Sequence, residues 1–339
     1  MSDKNTNIKS YFIKMLNGMA LGLFSSLIIG LILKQIGTLF NLQSVIVFGK
    51  VAQYMMGPAI GAGVAYSLGA SPLGIFASII TGAIGANTVV FQEGIVILNI
   101  GEPVGALIAA WVGTLASKLI QGKTKVDIVL VPAGTILIGG IVGNYIGPVV
   151  AEVMTIFGMM INRATELHRV PMGILVSVIM GITLTLPISS AALAISLKLD
   201  GLAAGAATIG CAAQMIGFAV ASYRENRFGG LISQGLGTSM LQIPNIIKNP
   251  KVWIPSIITS AILGPISTVI FKMENNKIGA GMGTSGLVGQ FGTVEVMGSN
   301  GILGIVLLHF ILPAIITLFI SEYMRRKNWI KDGDMKLLD

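Results

Sequence analysis

Three polar interruptions in an otherwise apolar chain hold the residues with chemistry to offer. The first is Pro187-Ile188-Ser189-Ser190. Proline removes a backbone donor and frees a carbonyl. The two serines either re-satisfy that backbone or present hydroxyls to a polar solute. The second is GLGTSMLQIPN, Gly235 to Asn245, which carries Thr238, Ser239, Gln242 and Asn245 around Pro244. A helical hairpin tip of this composition offers free N–H groups and neutral side-chain donors to a ligand. The alternative is a plain cytoplasmic loop. The third is the glycine tract GAGMGTSGLVGQFGTVEVMGSNG, residues 279–301. It contains neither GxxxxGK[ST] nor a GxGxxG between a strand and a helix. A flexible or close-packed pore-lining segment therefore fits it better than a phosphate cradle.

Residues 87–102, NTVVFQEGIVILNIGE, are apolar but too short and too polar for an ordinary span, with Gln92, Glu93, Asn99 and Glu102. Carboxylates and irregular backbone at membrane depth survive only when buried in protein or beside water. The stretch reads either as a re-entrant hairpin or as an external loop dipping to the interface. Covalent and metal chemistry find no support. Cys211 is the only cysteine, and neither His168 nor His309 has a second histidine or cysteine at ligand spacing. No nucleophile–base pair is visible, so neither an enzyme nor a cofactor is expected.

The elements that must position these segments follow from composition. Of 339 residues, 53% are hydrophobic and 11% charged, with a mean hydropathy of +0.84. A soluble domain has about 25% charged residues, so this chain lacks a surface suited to water and the bilayer is its solvent. The 44 glycines would weaken aqueous helices but allow close helix packing in lipid. The net charge of +8 comes from Lys and Arg near the ends and in short loops. That pattern follows the positive-inside rule and does not indicate nucleic-acid binding.

Spans of about 20 apolar residues are expected at 16–36, 45–68 (interrupted at Gly57-Pro58), a short 72–87, 103–120, 128–145, 171–186, 202–221, 252–271 and 302–321. Residues 148–162 are expected to lie in the interface. The reading is an all-α polytopic membrane protein with about eight to ten crossings and re-entrant hairpins. It forms one membrane domain over 1–339, with cytoplasmic tails at 1–14 and 322–339. ALAISLKLDGLAAGAA also echoes VAYSLGASPLGIFA, with Ala65, Ser67, Leu68, Leu73 and Ala77 matching Ala194, Ser196, Leu197, Leu202 and Ala206. Paired broken segments of this kind suggest a transporter-type repeat.

Four stretches together carry a family resemblance: LNGMALG from Leu16, PISSAALAISLKLDGLAAGAATIG from Pro187, IPNIIKNPKVWIPSIITSAILGPI from Ile243 and GTSGLVGQFG from Gly283. With their spacing they cover nearly the whole chain. They resemble the membrane IIC component of the bacterial sugar phosphotransferase system, and within it the stand-alone PfoR-like proteins. A more distant similarity runs to fructose-type IIC domains.

The resemblance implies a bacterial cell-membrane homodimer, an elevator-type movement of a transport part against a scaffold, and separate IIA and IIB partners. It implies a small polar solute held between hairpins. Ser189 and Ser190 would wall one side, and Thr238, Ser239, Gln242 and Asn245 the other. Met240 stands where sugar carriers of the fructose type have a glutamate, and the histidine of their APHGG motif has no counterpart. Glu102, with Glu93 beside it, is the nearest replacement carboxylate. The solute is accordingly expected to be less hydroxyl-rich than a hexose, or more weakly bound. The PfoR likeness also implies an alternative role, that of a membrane sensor or regulator without transport.

Overall fold

The computed structural model describes residues 2–92 and 94–337. It divides into two compact units, Met1–Val153 and Met154–Asp339.

In the first unit, α1 (Ser2–Leu23) continues through a π-helical turn at Phe24–Ile28 into α2 (Ile29–Leu39). Then come α3 (Gln43–Tyr54) and α4 (Met56–Ser67), a pair bent by 54°. The bend falls two residues before Gly57-Pro58, so that Pro58 sits in the first turn of α4, where no N–H is needed. α5 (Pro72–Gly85) and α6 (Pro103–Ile120) complete the packed helices. A methyl group on Gly18 would collide with the Gly63 carbonyl, and one on Gly63 with the Gly18 carbonyl. Gly22 is pressed in the same way against Ala59, and Gly30 against Gly49. These close approaches are all made within one chain.

Between α5 and α6 the stretch expected to be re-entrant or interfacial forms an antiparallel β-hairpin, β1 (Val89–Gln92) with β2 (Ile95–Leu98). Val89 pairs with Leu98 and Phe91 with Val96. β-Branched and aromatic residues favour strands, and Gly94 supplies the positive φ of +81° at the turn. Glu93 lies outside the described residues.

α7 (Asp127–Thr165) runs for 39 residues. Residues 148–162 therefore continue the preceding helix, beyond its apolar span at 127–146.

The second unit is built around α10 (Gly201–Ala221), most of which is buried. It is flanked by α8 (Arg169–Thr185), α9 (Ser190–Ser196), α11 (Tyr223–Ile232), α12 (Ile243–Lys248), α13 (Ile254–Pro265), α14 (Val288–Met297), α15 (Ile302–Gly304) and α16 (Leu312–Arg326). Small residues let α8, α10 and α13 approach closely. Ser177 Oγ donates to the Ser260 carbonyl at 2.8 Å, and Ser260 Oγ to the Gly210 carbonyl at 3.2 Å.

After α16 the chain does not trail away as a free tail. Arg325 pairs with Glu225 (2.8 Å) and Asp332 (3.1 Å) and donates to the Ala221 carbonyl. Ile330 and Met335 are 1% and 0% exposed.

Among the described residues, six helical stretches are long and apolar enough to cross a bilayer: 11–38, 103–120, 127–146, 201–221, 250–271 and 285–326. The bent pair α3–α4 makes a seventh, and α5 and α8 are shorter apolar helices. Eight crossings are reached only if a shorter helix also crosses. Exposed apolar side chains such as Phe76, Leu137, Ile141 and Phe319 suit a lipid surround.

The sequence echo marks a real local repeat at an offset of 129 positions. Gly69 and Lys198 both close a helix with positive φ, +70° and +51°. The amide of Ala70 reaches back to the Ala65 carbonyl, and that of Leu199 to the Ala194 carbonyl. This is the six-residue bond of a Schellman ending. Ser71 and Asp200 then cap α5 and α10. The same register brings Pro58 against Pro187. Each unit therefore contains a proline-broken start, a short helix, a Schellman turn and a capped helix.

Candidate binding site

The three broken segments of the sequence converge on α10 in the second unit. α8 stops at Thr185 because Leu186, preceding Pro187, is driven into extended conformation (φ −69°, ψ 158°). The chain then turns tightly, with Ile188 N to Leu186 O at 2.7 Å, and α9 starts at Ser190. Ser190 Oγ donates to the Gly281 carbonyl at 2.6 Å, tying this turn to the glycine tract. Ser189 is part-buried in the turn.

The second segment leaves α11 through a π-helical turn at Ser233–Gly237, becomes extended at Thr238 and re-enters a 3-10 turn at Ser239–Gln242. Thr238 Oγ1 accepts from Met240 N at 3.1 Å. Ser239 Oγ lies 2.8 Å from Thr185 Oγ1, so the second segment meets the first directly. The glycine tract closes the set. Thr284 Oγ1 donates to the Gly235 carbonyl and Ser285 Oγ to the Gly237 carbonyl, the latter at 2.8 Å. Gly283, at φ +52°, lies against the Cys211–Ala212 backbone where no side chain fits.

Gln214 sits in the middle, fully buried on α10. Its Oε1 accepts from Trp253 Nε1 at 2.8 Å and lies 3.4 Å from Thr185 Oγ1. Its Nε2 has no hydrogen-bond partner among the described residues. Residues 170–197, 201–222, 228–247 and 278–294 contain no Asp, Glu, Lys, Arg or His; the Trp253 turn carries Lys251, which is exposed.

The sequence-derived set separates here. Ser190, Thr238 and Ser239 join the convergence, with Ser189 in the same turn. Gln242 and Asn245 face another task. Gln242 Nε2 donates to Gln234 Oε1 at 2.8 Å and to the Met335 carbonyl at 2.9 Å. Asn245 Nδ2 donates to Gln242 Oε1 at 2.8 Å and to the Lys336 carbonyl at 2.9 Å. Buried amides must find partners, and the carbonyls of the folded-back C-terminus supply them. Glu102 belongs to the first unit, where it precedes α6 in extended conformation.

Sequence reasoning missed Thr185, Gln214, Trp253, Thr284 and Ser285. A lone glutamine in an unbroken Gly/Ala helix was the available signal for Gln214. It also missed the buried pair of Gln290 Nε2 and His309 Nδ1, 2.8 Å apart. A surface depression lined by Val220, Tyr223, Arg224, Leu231, Leu318 and Glu322 includes none of Thr185, Gln214, Ser239, Trp253, Thr284 or Ser285.

The fold and this cluster define a polytopic all-α membrane protein whose helices break around a buried, uncharged polar centre. The chain belongs to the phosphotransferase system EIIC family, whose model matches residues 13–337. No curated protein and no solved structure matches it.

Proposed function

We propose that this chain is a solute-binding and solute-translocating membrane component of the EIIC type, resident in a bacterial cell membrane. The observation that carries the reading is the meeting of three broken, hydroxyl-bearing segments on the fully buried Gln214. Broken helices at membrane depth cost stability, and their freed polar groups serve ligands in transporters. The second unit would carry the solute between the turn at Ser189 and Ser190 and the turn at Thr238 and Ser239. The first unit would act as scaffold and as the pairing surface of a homodimer. Gln242 and Asn245 would support the site by fixing the second turn to the C-terminus. In this closed arrangement the segments touch directly, so a solute enters by parting Thr185 from Ser239. Phosphorylation, where it follows transport, would rest on separate IIA and IIB proteins.

The test is a thermal-shift screen of the purified protein with small polar solutes. At least one is expected to stabilise it. Ser189→Ala and Thr238→Val should each weaken that solute's binding by about tenfold, the scale of one lost hydrogen bond, with expression unchanged. A screen that yields no stabilising solute would favour the second reading, a non-transporting membrane regulator. The attachment of Gln242 and Asn245 to the C-terminal backbone is the observation on that side.

Both termini are proposed to be cytoplasmic, on the side of the basic loop containing Lys118, Lys123 and Lys125. In a Cys211→Ala background, Lys123→Cys should resist an impermeant thiol reagent in intact cells and react once the membrane is opened. Labelling in intact cells defeats this orientation.

A further inference from the structure

We infer that the Gln214 carboxamide is a solute-binding donor, and that the site around it takes only uncharged solutes bearing an acceptor oxygen. The inference rests on the solute-site reading above and extends it to a residue and a ligand class.

The orientation of the amide is fixed by chemistry. An indole N–H can only donate. The Trp253 Nε1–H bond at 2.8 Å therefore assigns the atom facing it as the Gln214 oxygen. The NH2 group is then the end left without a protein acceptor, on a side chain that is 0% exposed. A buried donor without a partner is costly in a native structure and calls for an explanation. The hydroxyl nearest this carboxamide, Thr185 Oγ1, lies 3.4 Å from its oxygen, and both it and its partner Ser239 stand at helix breaks. Thr185 ends α8 at the Pro187 break, and Ser239 begins the 3-10 turn after the Thr238 break. Parting the 2.8 Å contact between their hydroxyls opens the space beside Gln214 to a solute. A carbonyl, ether or hydroxyl oxygen on that solute would accept from Gln214 Nε2.

The class of solute follows from the absence of charge. The four segments that carry Thr185, Gln214, Ser239 and Ser285 contain no Asp, Glu, Lys, Arg or His, and Lys251, two residues from Trp253, is exposed. A carboxylate, phosphate or ammonium brought there would lose its water and find no countercharge, which buried ions do not tolerate. The lining offers hydroxyls, amides and backbone carbonyls, and these suit a neutral solute.

The test uses cysteine reactivity in the purified full-length protein, in a Cys211→Ala background. Gln214→Cys and Thr185→Cys are probed with neutral methyl methanethiosulfonate and with its cationic trimethylammonium-ethyl and anionic sulfonatoethyl counterparts. In each case the thiolate attacks the sulfenyl sulfur, forms a disulfide and expels methanesulfinate. Rates are normalised to a free thiol, and Ser189→Cys reports the solute site independently.

The neutral reagent is expected to modify both positions under native conditions. The charged reagents should be slower by more than about tenfold, as the burial of an unpaired charge demands. If Gln214→Cys and Thr185→Cys react only after denaturation while Ser189→Cys reacts natively, Gln214 is a core residue. The inference then falls and the solute-site reading stands. Natively closed thiols at all three positions overturn both. Charged reagents that react as fast as the neutral one overturn the ligand class. If Gln214→Cys does not elute as a monodisperse particle, Thr185→Cys, whose hydroxyl contacts the same amide, decides the outcome.

Discussion

Truncation after Lys327 is expected to lower the thermal midpoint of the purified protein by roughly 10–20 °C, on a scale of about 2–4 °C per kcal/mol for a body of this size. The twelve residues removed look like a charged, dispensable tail but hold several parts of the second unit at once. Ile330 and Met335 are fully buried, and each loses about 1.5–3 kcal/mol of burial on removal. Asp332 leaves Arg325 with one carboxylate partner instead of two. The carbonyls of Met335 and Lys336 vanish as acceptors for Asn226, Gln242 and Asn245. Water can replace those bonds once the tail is gone, so each amide contributes only the net value of about 0.5–1.5 kcal/mol. The apolar anchors dominate the total. Met335→Asp should therefore act nearly as strongly as truncation. Lys336→Ala should be close to neutral, because only the backbone carbonyl of Lys336 is used. An unchanged midpoint after truncation would show that these contacts contribute nothing to stability.

That tail also shows where the sequence was legible and where it was not. Hydropathy placed the apolar stretch of each long helix, because a bilayer-spanning segment writes its length into composition, but not the helical extensions beyond it in α1, α7 and the stretch 285–326. Pro187 ended α8 where a proline must, through the residue before it. The repeat was visible in five matched side chains, and the structure explains why so few suffice. What is shared is a backbone device, a Schellman turn followed by a capped helix, and Gly69 and Lys198 perform it equally well. Lys327 to Leu337 carries almost no signal of burial, since its anchors are two isolated apolar residues among charges and its partners lie about 90–110 positions away. Periodicity cannot reveal a contact of that range.

The same limit applies to the site. The broken segments announced themselves by proline, glycine and hydroxyl residues, but their partners did not. Ser190 meets the Gly281 carbonyl, and Ser285 meets the Gly237 carbonyl. The glycine tract is thus the element that closes the other two turns, where composition alone suggested only close packing. Gln242 and Asn245 were grouped with Thr238 by sequence proximity. A change of backbone direction between Thr238 and Ile243 sends them to the opposite task, gripping the C-terminus. The stretch 87–102 was legible as a break between spans, but its strands were not, because periodicity over so few apolar positions does not separate a strand from other backbone.

The largest single-residue effect should fall on the junction of α8, α10 and α13. Gly210→Val is expected to abolish recovery of folded, monodisperse protein. A Cβ at this position would sit on the Ser177 carbonyl, with the Ser177 Cα at 2.6 Å. The obstacle is backbone, so no side-chain rotation relieves it, and only separation of α8 from α10 makes room. Separation also breaks the ladder in which Ser177 donates to Ser260 O and Ser260 to Gly210 O. In lipid, where apolar attraction between helices is weak, this close fit and its hydrogen bonds are what hold the helices together. Gly229→Ala supplies the internal control. A methyl there meets nothing within 4 Å, and Ala in place of Gly within a helix gains about 0.5–1 kcal/mol. The two substitutions should therefore act in opposite directions. Gly181→Ala falls between them and links packing to the site, since its methyl would press on the Gly210 carbonyl at 2.7 Å and on Gln214 Cγ at 3.0 Å. It should leave the protein folded, lower the midpoint by a few degrees, and shift the reactivity of Gln214→Cys. A well-folded Gly210→Val protein with an unaltered midpoint would mean that α8 and α10 do not pack at this register, and the placement of Gln214 opposite Thr185 would fall with it.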